Sequence, residues 1–167
     1  MNEAKIDQMK MNRYCQSVFD QMDMAIESVL GIIDTLREQD LAVRPTADKM
    51  SVGELLAHLA VLCEADYLIG AGASEEEMDV FYEQNEPAMN REAIQRALTI
   101  HYAALKQGIA RLSDDELLTK TTAFWGGVHS RFEWLLDTQA HFYHHRGQLH
   151  AMLVHNLQRD PKVRLFE

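Results

Sequence analysis

Five histidines are concentrated in residues 138–156, a stretch whose apolar pattern favours a helix: His141, His144, His145, His150 and His155. On an α-helix, His141 and His145 lie one turn apart on the same face, where Cβ atoms are only about 5–6 Å from each other. Two imidazoles at that spacing can bind one transition-metal ion. Protein metal centres usually have three or four ligands, so another part of the chain has to supply the third.

His58 is the best candidate for that third ligand. It interrupts an otherwise apolar, leucine-rich helical pattern, and a buried imidazole without a polar partner is costly. Convergence with His141 and His145 would remove this cost. Other interpretations stay open, because an isolated histidine pair four residues apart is often a surface or core feature. His101 and His129 are competing third or fourth ligands.

Three neutral imidazoles would leave at least one coordination position open, which is typical of catalytic rather than structural sites. Zinc, nickel and ferrous iron all accept imidazole, so the sequence does not select the metal. The open position could hold water for hydrolysis or the thiolate of a low-molecular-weight thiol. Gln148 and Glu54 are candidates for orienting the ligand histidines as hydrogen-bond acceptors, although Glu54 can equally cap a helix. His144 and Glu64 are candidates for proton transfer.

Four helical patterns must position these residues, and apolar residues recur in them at intervals of three and four. The patterns cover residues 6–38, 51–70, 90–112 and 131–157. Capping boxes of the form S-x-x-E predict that the second and fourth helices begin after Ser51 and Ser130, and Asn90 is the predicted N-cap of the third. Residues 74–87 are predicted to be a connector with at most a short turn of helix, and residues 121–129 a glycine-broken loop.

The lengths of the connections predict the topology. A short link forces neighbouring helices to run antiparallel, whereas about 20 residues between the second and third helices can span a helix length. We therefore expect an all-α fold, a four-helix bundle with up-down-down-up topology and a long crossover between helices 2 and 3. At 167 residues the chain is most simply one domain, residues 1–167.

Charge and composition exclude several classes of function. The formal net charge is −10 and lysine and arginine form no cluster, so a nucleic-acid or anionic-membrane surface is not expected. No apolar run of about 18 residues is present, and the N-terminus lacks the apolar region of a secretory signal. The expected location is the cytoplasm, where Cys15 and Cys63 would be buried free thiols.

Two segments resemble the DinB-like superfamily, which includes YfiT-type proteins. Residues 44–60, RPTADKMSVGELLAHLA, resemble that family's P-x(n)-S-x-x-E-L-x-x-H-L block, and residues 141–149, HFYHHRGQL, resemble its H-x-x-x-H-R-G-Q block. The helix order and spacing agree over the whole chain. Met50 stands where family members often have an aromatic residue.

The resemblance implies an up-down-down-up bundle, often dimeric, that holds a divalent metal through three histidines. Matched by motif, these are His58, His141 and His145, while His144 falls outside the ligand set. The relatives include metal-dependent hydrolases and thiol-dependent transferases or isomerases that use bacillithiol, mycothiol or glutathione. The implied partners are a small-molecule substrate and a second copy of the chain.

Three hypotheses for function follow. The first is a metal-dependent enzyme, either a thiol-cofactor S-transferase or a hydrolase. The second is a non-catalytic metal-binding or stress-response bundle, and the third is a purely structural helical dimer, which leaves His58 unexplained. A cavity over the metal would favour the first, and a site closed by a fourth protein ligand would favour the second. The sequence selects neither the substrate nor the thiol.

Overall fold

A computed structural model describes residues 11–166, which form a bundle of long helices with one short β-hairpin. The elements in chain order are α1 (Arg13–Thr35), a 3-10 helix (Glu38–Ala42), α2 (Val52–Gly70), α3 (Glu75–Asn85), α4 (Arg91–Ala110), α5 (Asp114–Leu118), β1 (Lys120–Thr122), β2 (Val128–Ser130) and α6 (Arg131–His155). The long helices α1, α2, α4 and α6 correspond to the four predicted helices.

Side-chain caps determine where three of these helices begin, as predicted. The Ser51 hydroxyl accepts the backbone N–H of Glu54, whose carboxylate accepts the Ser51 N–H in return. The same reciprocal pair at Ser130 begins α6, and the Asn90 side chain accepts the third N–H of α4. Each cap satisfies backbone donors that have no partner within the helix.

Contacts along the helices give their directions. α2 packs against α4 and α6, and α1 packs against the same two helices. α2 and α4 run parallel, because the start of α2 at Gly53 lies against Met89 just before α4, and Tyr67 near the end of α2 lies against Gly108. At the α2–α6 interface Gly70 at the end of α2 lies against Trp134 near the start of α6, so these helices are antiparallel.

α1 is parallel to α6, because Gln21 contacts Tyr143 and Ser28 contacts Arg146 further along both helices. The four directions therefore give the predicted up-down-down-up bundle, with residues 71–90 as the crossover from α2 to α4. The core between the four long helices buries Cys15 and Cys63 as free thiols, which confirms that prediction.

The first helix is shorter than predicted. The Asn12 side chain accepts the N–H groups of Tyr14 and Cys15 and begins α1 at Arg13, so residues 11 and 12 are not helical. Residues 6–10 of the predicted helix lie outside the described part of the chain. At the other end the backbone becomes extended at Leu36 and continues into the 3-10 helix.

The crossover contains more helix than predicted: residues 74–87 were expected to be a connector with a short turn of helix, whereas α3 has 11 residues. Ser74 and Glu77 form a capping box that begins α3. Met78 and Phe81 are buried against Val61, Ala65 and Ile69 of α2, in a cluster that also contains Ala123 and Trp134. Met78 and Phe81 are the buried residues of α3, and its first turn is acidic and exposed. The pattern was therefore too short to indicate a helix.

The segment predicted to be a glycine-broken loop, residues 121–129, lies mostly in an antiparallel hairpin. β1 and β2 pair with Thr121 opposite His129, and Gly126 adopts a positive φ of 96° at the turn. The Thr121 hydroxyl donates to the carbonyl of Gly70 and accepts the indole N–H of Trp134. These bonds fix the hairpin to the end of α2 and the start of α6.

No helix within residues 11–166 is long and apolar enough to cross a membrane.

Candidate metal centre

His58, His141 and His145 meet at the interface between α2 and α6. Each offers one ring nitrogen, and these three atoms all lie within 4.8 Å of one another. The Nε2 atoms of His141 and His145 are 3.0 Å apart, and the ring of His58 lies 4.6 Å from that of His145 between centroids. All three residues are partly exposed. The structure thus brings together the three residues that the sequence singled out as ligands.

Hydrogen bonds orient the two rings on α6. Asp66 Oδ2 lies 3.0 Å from His141 Nδ1, and Gln148 Oε1 lies 2.8 Å from His145 Nδ1. Because both oxygens accept, each ring donates through Nδ1 and its neutral form presents the Nε2 lone pair to the other ring. Two lone pairs facing each other at 3.0 Å repel unless a proton or a cation lies between them.

This arrangement fits a metal ion. Two nitrogens bound at about 2.0–2.1 Å to one ion, at tetrahedral or octahedral angles, lie roughly 3 Å apart, close to the observed separation. A carboxylate that accepts the other N–H of a ligand histidine is a recurrent feature of metal sites, and Asp66 supplies it here. The residues present would therefore hold a divalent ion through three imidazoles.

The environment of each imidazole shifts its pKa. Burial, together with the charges of the neighbouring His145 and His141, lowers the pKa of His58 to about 4. Burial also lowers the pKa of His145. The hydrogen bond to Asp66 raises the pKa of His141. At neutral pH His58 and His145 are therefore uncharged, the form in which histidine binds metals.

The structure places the other predicted site residues as follows. Gln148 contacts His145. Glu54 caps α2 and forms an ion pair with Arg44 at 2.6 Å. His144 is exposed, with its ring centroid 5.0 Å from that of His145. The structure therefore brings Gln148 and His144 to the α6 side of the cluster, while the carboxylate of Glu54 faces Arg44.

Three further residues that the sequence suggested for the site, Glu64, His101 and His129, lie in other interactions. The Glu64 carboxylate is 2.6 Å from Nδ1 of the buried His101, across the α2–α4 interface. His129 lies in β2 with its ring edge-on to Trp134, at 4.8 Å between centroids. Within the described residues neither histidine belongs to the three-histidine group.

Asp66 is the residue that sequence reasoning missed. It lies two turns after His58 on α2 and its side chain is only 17% exposed. The signal was present, because a carboxylate within the apolar pattern of α2 needs a partner just as His58 does. That the partner is His141 depends on how α2 and α6 are aligned, which the sequence pattern does not give.

Two cavities border the site. The first, which we call the α3 cavity, has a volume of about 340 Å³ and lies between α2 and the crossover; Glu54, Ala57, His58, Val61, Tyr82, Glu83, Glu86, Pro87 and Met89 line it. The second, the loop cavity, has a volume of about 470 Å³ and lies between residues 45–50 and α6; Pro45, Lys49, Met50, Leu55, His145, Gln148, Ala151, Met152, His155 and Asn156 line it. Each cavity has one of the three clustered histidines in its wall, so ligands can approach the cluster from both.

Comparison with known proteins agrees with this fold. The family model of the DinB superfamily matches residues 21–149. A solved structure of a protein assigned to the DinB family, from Exiguobacterium sibiricum 255-15, is 31% identical, with a TM-score of 0.79 over 94% of this chain and 100% of that one. The search of curated proteins gave no match.

Two DinB-like proteins share the fold at lower identity. The one from Bacillus cereus ATCC 10987 is 16% identical, with a TM-score of 0.67 over 86% of this chain and 92% of that one. The one from Bacillus subtilis is 15% identical, with a TM-score of 0.67 over 89% of this chain and 95% of that one. At these identities the likeness concerns the fold alone.

Proposed function

Because the chain belongs to the DinB superfamily, we propose that it is a metal-dependent enzyme that acts on a small molecule. His58, His141 and His145 would hold the metal. The reaction is either transfer of a low-molecular-weight thiol to an electrophile or hydrolysis. The observation that carries the proposal is the convergence of three imidazole nitrogens within 4.8 Å beside two cavities.

The donor set supports a catalytic rather than a structural site. Among the described residues the group contains three histidines and no fourth ligand, whereas structural zinc sites are almost always closed by four. His58 lies in the wall of one cavity and His145 in the wall of the other, so a small molecule can reach the histidines. A divalent ion held there would supply a Lewis acid with an open coordination position.

The protein's own residues prepare this site. Asp66 and Gln148 accept the Nδ1–H groups of His141 and His145, which directs both Nε2 atoms to one point. Burial keeps His58 uncharged by lowering its pKa to about 4, so this ligand needs no deprotonation at neutral pH. His144 is exposed next to His145 and is our candidate for proton exchange with solvent.

Metal analysis of the untagged protein, followed by an activity screen, tests the proposal. We expect one divalent ion for each three-histidine site, and thiol-transfer or esterase activity that a chelator removes and added metal restores. Protein without bound metal, even after incubation with zinc, nickel or ferrous iron, would contradict the proposal. Bound metal without turnover of either substrate type would favour the non-catalytic metal-binding bundle.

A further inference from the structure

The two cavities beside the histidines differ in charge. The lining of the α3 cavity includes Glu83 and Glu86, as well as Glu54, whose charge the ion pair with Arg44 offsets, and it contains no lysine or arginine. The loop cavity is lined by Lys49 and two histidines and by no carboxylate. In a chain with a formal net charge of −10, a cavity without carboxylates is the place where an anionic group meets the least repulsion.

The loop cavity also offers an apolar wall of suitable size. Its volume of about 470 Å³ falls within the range of roughly 300–1,000 Å³ that is typical of small-molecule sites. Among its lining residues, Leu55 and Met152 are buried and Met50 is half-exposed. Methionine side chains adapt to irregular apolar ligands because they are unbranched and polarisable.

The loop that forms one wall is held in place. Arg44 donates to the carbonyl of Lys49 at 2.7 Å and to both carboxylate oxygens of Glu54. This joins residues 44–49 to the first turn of α2. Lys49 itself is only loosely paired, because its Nζ atom lies 3.9 Å from an exposed Asp48 carboxylate that does not line the cavity.

From these observations we propose that the loop cavity binds the apolar body of an anionic substrate, a medium-chain monocarboxylate or a molecule of the same chemistry. The carboxylate pairs with Lys49, and the apolar chain lies against Leu55 and Met152. His145 also lines the cavity, so an electrophilic or hydrolysable group carried at the other end of the apolar chain would lie beside the three histidines. The assignment of this ligand as a substrate rests on the proposed function, whereas its binding does not require a metal.

Methionine methyl NMR can locate the ligand. Met50 and Met152 line the loop cavity, whereas Met89 lines the α3 cavity. In full-length protein labelled at the methionine methyl groups, we expect octanoate to shift Met50 and Met152 and to leave Met89 in place. Octylammonium, with the same chain length and the opposite charge, should bind to the loop cavity several-fold more weakly. Equal binding of the two probes, or octanoate shifts confined to Met89, would overturn the proposal.

Two variants separate the apolar and charged parts of the site. Ala151 is an exposed helix residue in the cavity wall, so Ala151→Leu should narrow the cavity and reduce the octanoate shifts without unfolding α6. Ala140→Leu, at an exposed alanine of the same helix outside both linings, is the matched control and should bind octanoate normally. Lys49→Met should weaken octanoate about two- to fivefold and leave octanol unchanged, as for loss of one exposed ion pair.

A zinc titration of the same samples distinguishes failure of this proposal from failure of the proposed function. Zinc binding at the histidines without octanoate shifts at Met50 and Met152 would refute the assignment of the loop cavity alone. Octanoate binding in a protein that takes up no divalent metal would refute the enzyme proposal and leave the anion site intact. Octanoate binding that Ala151→Leu does not reduce would place the ligand elsewhere.

Discussion

Replacing Asp66 with asparagine tests whether the buried carboxylate prepares His141 for metal binding. The Asp66 side chain is 17% exposed, and its Oδ2 atom lies 3.0 Å from His141 Nδ1. Loss of such an acceptor behind a ligand histidine typically costs about 10- to 100-fold in metal affinity. Asparagine keeps an acceptor oxygen and loses only the charge. We therefore expect Asp66→Asn to weaken zinc binding about 10-fold, or roughly 1.4 kcal/mol, and Asp66→Ala to approach 100-fold.

The assay is competition with a chromophoric zinc chelator at pH 8, where proton binding to the histidines contributes little. Asp137→Asn is the matched control. Asp137 lies one turn before His141, is exposed and influences it through charge alone. We expect less than a twofold effect there, because exposed charges are screened. Equal losses in both variants would show that the overall negative charge determines the affinity, and that the buried position of the Asp66 carboxylate beside His141 has no special effect.

Three further predictions concern the ligands, the tertiary fold and the assembly. His141→Ala should remove tight metal binding and the stabilisation of about 3–4 kcal/mol that a well-occupied site provides, while helical circular dichroism is retained. His144→Ala should still bind metal. If His144→Ala lost the metal and His141→Ala kept it, the ligand positions on α6 would have been assigned wrongly. Burial by itself raises the pKa of Asp40, but hydrogen bonds from Arg159 and Arg37 outweigh it and hold that pKa well below its usual range. This contribution to stability is present above the unfolded-state pKa of about 3.9 and is lost as the pH falls through the folded-state pKa. Asp40→Asn should therefore lower the free energy of unfolding by about 1–3 kcal/mol at pH 7 and by progressively less below about pH 4, as urea titrations would show. If the variant and the original protein differed in stability by the same amount at every pH, the lowered pKa of Asp40 would not contribute to stability. Light scattering should give about twice the chain mass of 19.1 kDa for the predicted homodimer, and a mass equal to one chain at micromolar concentration would refute it.

The long helices could be predicted because local rules determine them. Apolar side chains at intervals of three and four created the buried faces, and the capping boxes at Ser51 and Ser130 marked where α2 and α6 begin. The same signature at Ser74 and Glu77 begins α3, but the apolar pattern after it consists of little more than Met78 and Phe81. The stability of α3 comes from packing onto α2, a tertiary effect that a short sequence window does not contain.

For the candidate site, too, local rules predict some residues, and the others depend on how the helices pack. The pair His141 and His145 follows from helical spacing alone, and His58 could be inferred because an imidazole in an apolar pattern needs a partner. Asp66 lies on the other helix from the residue it orients, so its role depends on the alignment of α2 with α6. Glu54 fits two interpretations from sequence, and its ion pair with Arg44, ten residues earlier in the chain, is a contact that the loop before α2 creates.

Different parts of the chain form the candidate metal site and the walls through which a substrate would reach it. The histidines and Asp66 lie on α2 and α6, whose packing fixes their geometry and leaves little freedom for change. The outer walls of the two cavities come instead from α3 with the residues after it and from residues 45–50, which contribute little to the main core. Substitutions at Tyr82, Glu83 or Lys49 can therefore alter which molecules reach the site at small cost in stability. Exchanging Glu83 for lysine should accordingly admit anions to the α3 cavity while metal affinity stays unchanged, and a loss of metal in that variant would show that the two functions are coupled.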